Sequence, residues 1–235
     1  MLDKLAFLGM NRSAVQWFRS YLTTRTQSVC VNGLLSEPQP IPFGLPQDSV
    51  FGPLPFIIYI NDLPLALQGC SVELYADDTL IYFASKSVSE IQAQLTGGLT
   101  DVLSWFQANF LILNLKKTKI MLVGTDQRNA EADNLVIEIS NTCLEQVDMF
   151  KYLWALPDNT LSWKDHIEYI GDKILSRLGV LYRAHKVLPK PTCLMLYNTI
   201  VLPLFDICSP VWDSCGAGSK DYLAKLKRRA ACIIY

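Results

Sequence analysis

The run Val72-Glu73-Leu74-Tyr75-Ala76-Asp77-Asp78-Thr79-Leu80-Ile81-Tyr82-Phe83 is apolar and aromatic on both sides of two adjacent aspartates. One unbroken strand would carry two like charges side by side, in a residue type that strands disfavour. The run therefore reads as two short β-strands joined by a tight turn whose tip bears the carboxylates. A divalent cation removes the repulsion between them, and hard oxygen donors are what Mg²⁺ selects. The plain alternative is an ordinary polar hairpin tip.

Around this hairpin the pattern is mixed and then changes. Leu2–Leu8 and Ser13–Tyr21 read as short amphipathic helices, with Gly9 as a stop and Asn11 or Ser13 as a cap. Gln27–Asn32 alternates like a strand, Gly33 marks a turn, and the prolines at 38, 40, 42 and 46 keep 37–46 extended or looped. A buried helix is expected near 55–66. A longer one starts from a Ser87 or Ser89 cap, with Gly97-Gly98 as a break before a second helix through Trp105 and Phe106. Thr118–Val123 and Leu135–Ile139 read as strands, the polar segment 126–134 as a loop, and a hairpin is expected around Met149–Leu153. From Ser162 onward Ile167, Ile170, Ile174, Leu178 and Leu181 fall at helical spacing, and Leu188-Pro189-Lys190-Pro191 ends that run. An antiparallel sheet backed by helices and followed by a helical end is an α+β arrangement. The boundary falls at Pro157-Asp158-Asn159, giving regions 1–157 and 158–235.

With 235 residues, half of them apolar, the chain can bury a substantial core and is not a disordered segment. Charge is unevenly spread: residues 1–146 carry 9 Lys/Arg against 14 Asp/Glu, and residues 147–235 carry 12 against 8. An acidic first part and a basic tail suit a protein that handles phosphates, or simply a solvated surface. Seven scattered cysteines form no Cys-x-x-Cys pair, and no targeting sequence is visible at Met1. Reduced thiols in the nucleus or cytoplasm are expected. Val50–Ile60 is too short and proline-rich, and Cys193–Trp212 too interrupted, to span a bilayer. Trp17, Trp105, Trp163 and Trp212 lie among apolar residues and read as core.

Tyr75-Ala76-Asp77-Asp78 resembles the metal-binding box of reverse transcriptases. Upstream, Gly44-Leu45-Pro46-Gln47-Asp48-Ser49-Val50-Phe51-Gly52-Pro53-Leu54-Pro55-Phe56 resembles the Gly-x-Pro-Gln-Gly-Ser-x-x-Gly-Pro-x-x-Phe box of polymerases from non-LTR (LINE-type) retrotransposons. Ile57-Ile58-Tyr59-Ile60-Asn61-Asp62-Leu63-Pro64, Asn114-Leu115-Lys116-Lys117-Thr118-Lys119 and Phe150-Lys151-Tyr152-Leu153 resemble segments that accompany those boxes, in the same order. The resemblance implies a partial polymerase palm over 1–157 and a helical, thumb-like region over 158–235.

It also implies RNA-templated DNA synthesis by two-metal nucleotidyl transfer. Asp77 and Asp78 would hold Mg²⁺ (or Mn²⁺), Asp77 as the principal ligand. Gly44, Pro46, Gln47, Ser49 and Tyr75 would face nucleotide and template, Lys117 would be the general acid for pyrophosphate or a phosphate contact, and Tyr152 and Leu153 would form the primer grip. The partners implied are an RNA template, a DNA primer and deoxynucleoside triphosphates. In this family a first metal-binding aspartate and the fingers precede the helix that opens here at Leu2. The chain is therefore expected to be truncated on its N-terminal side and impaired. Asp48 stands where the family has glycine, and Trp154 where glycine follows the grip pair. A catalytically inactive remnant, acting at most as a nucleic-acid-binding or structural module, is the alternative.

Overall fold

Helix α1 (Leu2–Phe7) buries Leu5 and gives way to Gly9, whose φ of +82° side-chain-bearing residues rarely adopt. Helix α2 (Arg12–Leu22) starts at Asn11, whose side-chain oxygen accepts from Ala14 N at 2.8 Å and satisfies an otherwise free first-turn amide. The computed structural model describes residues 1–41, 44–46, 49–131, 135–139 and 141–235, grouped in two compact units, Met1–Leu113 and Asn114–Tyr235.

In the first unit the proline-rich stretch forms short exposed pairs. Strand β1 (Thr26–Gln27) runs antiparallel to β4 (Gln39–Pro40), and β2 (Cys30–Val31) to β3 (Leu34–Leu35). Asn32 and Gly33 both take positive φ between β2 and β3, as a type I′ hairpin turn requires. Pro53 opens α3 (Pro53–Ile60) and Pro55 sits in its first turn, where a missing N–H breaks no helical bond. The helix expected over 55–66 is two pieces: Asn61 and Asp62 separate α3 from α4 (Leu63–Ala66), and Leu54 and Ile57 remain about half exposed.

Strands β5 (Ser71–Tyr75) and β6 (Asp78–Tyr82) form the antiparallel hairpin, in register from Ser71↔Tyr82 to Tyr75↔Asp78. Its inner residues Val72, Leu74 and Ile81 pack with Ile60, Leu63 and Leu67 and with Val102 and Phe106 of α5 (Val88–Ala108). Ser87 caps α5, accepting from Glu90 N at 3.4 Å. Gly97-Gly98 does not break α5. A Cβ at Gly98 would come within 3.0 Å of Cys70 Sγ, so this glycine lets the helix pass close to Cys70. Packing along the helix outweighs the cost of about 1 kcal/mol for an interior glycine.

Packing in the first unit is reinforced by Lys4. Its Nζ donates to Asp62 Oδ1 at 2.7 Å and to the Tyr59 carbonyl at 2.8 Å, and lies 4.5 and 4.8 Å from the Tyr59 and Trp105 rings. Burial, then the Asp62 charge, pushes the Tyr59 phenol up. Trp17 is a correction: it stays half exposed on α2, whereas Trp163 and Trp212 are buried.

The second unit holds β7 (Lys119–Ile120), shorter than the strand expected over 118–123, paired in parallel with β10 (Glu145–Gln146) and bridged by the Lys119–Glu145 ion pair. Part of the expected loop over 126–134 is helix α6 (Asp126–Glu131), which Thr125 starts by accepting from Arg128 N through Oγ1 and from Asn129 N through its carbonyl. Strand β8 (Glu138–Ile139) pairs with β9 (Thr142–Cys143), and Leu135, Ile137 and Ile139 all point inward. Helix α7 (Lys164–Ala184) buries the five apolar residues whose spacing announces it.

Helix α8 (Lys190–Leu196) continues through a π-helical stretch, Tyr197–Val201, into α9 (Leu202–Asp206). Pro203 donates no amide and crowds the carbonyl four residues earlier, and the wider stretch accommodates it. Helices α10 (Ser209–Trp212) and α11 (Ala217–Ile234) follow, and α7, α8, α9 and α11 share one apolar core. Helices with small sheets make the fold α+β. Among the described residues no helix is long and apolar enough to cross a membrane.

Candidate functional site

The alternation of the β5–β6 hairpin sorts its residues by face. Val72, Leu74, Thr79 and Ile81 turn inward, while Glu73, Tyr75, Asp78, Leu80 and Tyr82 turn outward. A one-residue slip would put Glu73 and Asp78 into the core, so burial fixes the register. The loop is Ala76-Asp77, with Ala76 at φ +52°. The tip thus falls one residue earlier than the sequence suggests: Asp77 is in the loop, and Asp78 opens β6 opposite Tyr75. Both are exposed, and among the described residues neither carboxylate has a hydrogen-bond or ion-pair partner. A cleft of about 460 Å³, lined by Ile57, Ile60, Asn61, Leu74, Tyr75 and Ala76, borders the tip.

Two adjacent, unpartnered hard-oxygen donors fit a divalent cation. Mg²⁺ ordinarily takes one or two carboxylates and completes its shell with water and substrate phosphate. No third His, Cys, Asp or Glu joins the pair among the described residues, so the site is open rather than a closed protein cage. Asp62 is not a further donor, since Lys4 already holds it.

Gly44, Ser49 and Phe51 are fastened to one side of α2. Tyr21 Oη and Ser49 Oγ are 2.6 Å apart, Trp17 meets Phe51 edge-on at 5.3 Å, and Arg25 Nη2 donates to the Gly44 carbonyl at 2.5 Å. Trp17, Tyr21 and Arg25 are spaced by four, one helical turn apart, so a single helix face and its continuation hold them. Gly44 has φ +81°, which makes glycine the fitting residue there. Pro46 is half-buried beside it. Gln47 and Asp48 lie outside the described residues.

Residues 2–174 match the family described as reverse transcriptase (RNA-dependent DNA polymerase). The chain belongs to the reverse transcriptase family. Within it, its relatives are polymerases of non-LTR retrotransposons. It is 25% identical over 219 residues to the RNA-directed DNA polymerase from mobile element jockey of Drosophila melanogaster, covering 89% of this chain and 23% of the relative. Identity is 27% over 170 residues to the probable RNA-directed DNA polymerase from transposon BS of the same species, covering 69% and 18%. The jockey polymerase of Drosophila funebris is 25% identical over 222 residues, covering 90% and 24%. The chain spans about a quarter of the length of the curated relatives it matches. No solved structure matches it significantly.

Other expected site residues of this reverse transcriptase domain belong to the second unit. Lys117 is exposed in a turn where Asn114 accepts from the Lys117 amide through its carbonyl at 3.1 Å. Tyr152 and Leu153 lie on a tight hairpin in which Tyr152 and Ala155 exchange two backbone hydrogen bonds of 3.0 Å. Leu153 takes φ +53°, a conformation costing about 1–3 kcal/mol in a non-glycine residue. Trp154 projects into solvent at 63% exposure, so it does not crowd the turn.

Asp158 and His166 seat that hairpin, and sequence reasoning passes over both. Asp158, almost fully buried at the hairpin's base opposite Met149, accepts from Thr160 N and Oγ1, Ser162 N and Oγ, and Trp163 N at 2.6–3.2 Å. Burial pushes its pKa up, and the Thr160 hydroxyl with the Ser162, Trp163 and Thr160 amides pulls it down further, to about 2. Its charge also faces the N-terminus of α7, where anions are favoured. His166 is fully buried; its Nδ1 accepts from Leu156 N at 3.3 Å, its Nε2 has no partner, and burial lowers its pKa. The available signal was Asp158-x-Thr160-x-Ser162-Trp163 just ahead of a helical period.

Proposed function

We propose that this chain carries the partial palm (1–157) and thumb-like region (158–235) of a polymerase that synthesises DNA on an RNA template. The carrying observation is the Asp77–Asp78 pair, exposed and unpartnered at the tip of a register-locked hairpin beside an open cleft. The reaction joins a primer 3′-hydroxyl to a nucleotide α-phosphate by two-metal nucleotidyl transfer. Bound Mg²⁺ or Mn²⁺ supplies charge neutralisation at the triphosphate and a lowered pKa for the attacking hydroxyl.

The chain's own residues bind and position. Asp77 is the principal metal ligand and Asp78 the auxiliary one, with Tyr75 across the register from Asp78. Gly44, Pro46, Gln47 and Ser49 face nucleotide and template, and Arg25 and Tyr21 hold Gly44 and Ser49 before substrate arrives. Lys117 delivers a proton to the leaving pyrophosphate, and Tyr152 with Leu153 sets the primer end. A second reading, an inactive remnant, is favoured by the lack of a third acidic or histidine ligand beside the pair among the described residues.

Primer extension on poly(rA)/oligo(dT) with Mg²⁺ or Mn²⁺ tests both. Extension that Asp77→Ala reduces at least a hundredfold, about 3 kcal/mol, is the expected result of the polymerase reading. No extension by the unaltered chain, nor by Asp48→Gly, would leave the remnant reading standing.

A further inference from the structure

Lys151 and Lys173 come from different elements, the arm leading into the Tyr152–Ala155 hairpin and the middle of α7, yet converge on one side chain. Lys173 Nζ donates to Tyr169 Oη at 2.6 Å and lies 4.1 Å from the ring centroid, and Lys151 Nζ lies 5.7 Å from the same centroid. Tyr169 packs against the core of the second unit, so its phenol is a fixed post. The Lys173 hydrogen bond, and then the nearby Lys151 ammonium, hold that phenol below its ordinary pKa.

Three lysines of this unit pair with carboxylates, Lys119 with Glu145, Lys220 with Asp213 and Lys225 with Asp221. Among the described residues Lys151 and Lys173 pair with no carboxylate, although Glu168 and Asp172 stand on the same helix. Two ammoniums gathered at one neutral side chain repel, and an anion between them reverses that. With its oxygen accepting from Lys173, Tyr169 keeps its own proton to donate. Lysine binds phosphate as a point charge, without regard to base identity.

We propose that Lys151, Tyr169 and Lys173 form a clamp for a backbone phosphate of the nucleic acid, beside the hairpin that carries Tyr152. This rests on the polymerase reading, which brings a primer–template duplex to that hairpin. The test is fluorescence anisotropy of a labelled RNA–DNA duplex with the full chain, between about 50 and 200 mM salt, with no nucleotide or turnover required.

Lys151→Gln/Lys173→Gln should bind several-fold more weakly on every duplex sequence and lower the log–log salt slope by about 2. Tyr169→Phe should lose less, and Lys220→Gln/Lys225→Gln, whose ammoniums are already paired, should change the slope least. Wild-type affinity and slope in the folded double variant would overturn the clamp and leave the polymerase reading intact. Inorganic phosphate should displace the duplex from the unaltered chain beyond its ionic-strength effect, and equal displacement from the double variant would overturn the clamp. An unaltered chain that binds no duplex at all would sink both readings, and only that outcome reaches the polymerase reading.

Discussion

What an aspartate does in this chain depends on the donors that face it. Asp62 meets Lys4, Asp158 meets three amides and two hydroxyls, and Asp77 and Asp78 meet none among the described residues. For Asp158 the consequence is a pH-dependent stability. Its folded pKa of about 2 lies below the ordinary 3.8, so the stabilisation, roughly 2 kcal/mol, is present in full above about pH 4. It is lost as pH falls through about 2. His166 acts higher: its lowered folded pKa means stability declines as pH drops below the ordinary 6.5. Asp158→Asn should therefore lose about 2 kcal/mol in urea unfolding at pH 7, and the gap to the unaltered chain should narrow by pH 3, with His166 common to both. A gap independent of pH would contradict the hydrogen-bonded carboxylate as its source. Asp77 and Asp78 were legible in the sequence because they break a strand pattern. Asp158 was not, because an aspartate in a Pro-Asp-Asn turn breaks no rule, and most of its donors are backbone amides that carry no residue label.

Among the elements, α7 was legible because one apolar stripe spans about four turns, whereas α5 was read as broken at Gly97-Gly98. Glycine marks either a break or a close approach, and only the neighbour decides. Gly171 is the sharper case. A Cβ there would fall 2.5–2.9 Å from the Tyr222 ring, where α7 packs on α11. Gly171→Ala should lower the melting temperature, its overpacking cost of about 1–3 kcal/mol exceeding the gain in helix propensity. Tyr222→Ala should remove that penalty. Gly97→Ala, with nothing within 4 Å of the added carbon, should instead stabilise by up to about 1 kcal/mol. Equal signs at the two glycines would show that propensity, not packing, governs both. The parallel pairing of β7 with β10 was beyond reach, since two-residue strands 26 positions apart have no periodicity to read.

Over the whole chain, charge and packing divide between the two units. Met1–Leu113 carries 5 Lys/Arg against 9 Asp/Glu and holds the carboxylate pair; Asn114–Tyr235 carries 16 against 13 and holds the lysine clamp. Each unit has its own core, on α5 in the first and on α7 and α11 in the second, while every residue of β1 to β4 is exposed. Amide exchange reports local opening, which is slowest where buried apolar contacts are densest. Hydrogen exchange should therefore show two maxima of protection, around Val102–Phe106 and around Ile170–Leu181, with β1 to β4 exchanging fastest. Mg²⁺ separates the site from the scaffold in the same experiment. The carboxylates at the hairpin tip repel when empty, so an ion that bridges them should slow exchange at Ala76–Thr79 and leave α5 unchanged. Asp77→Ala should abolish that slowing. Protection that rises uniformly with Mg²⁺, or persists in Asp77→Ala, would mean that the ion acts through general screening and that the acidic tip is not a metal site.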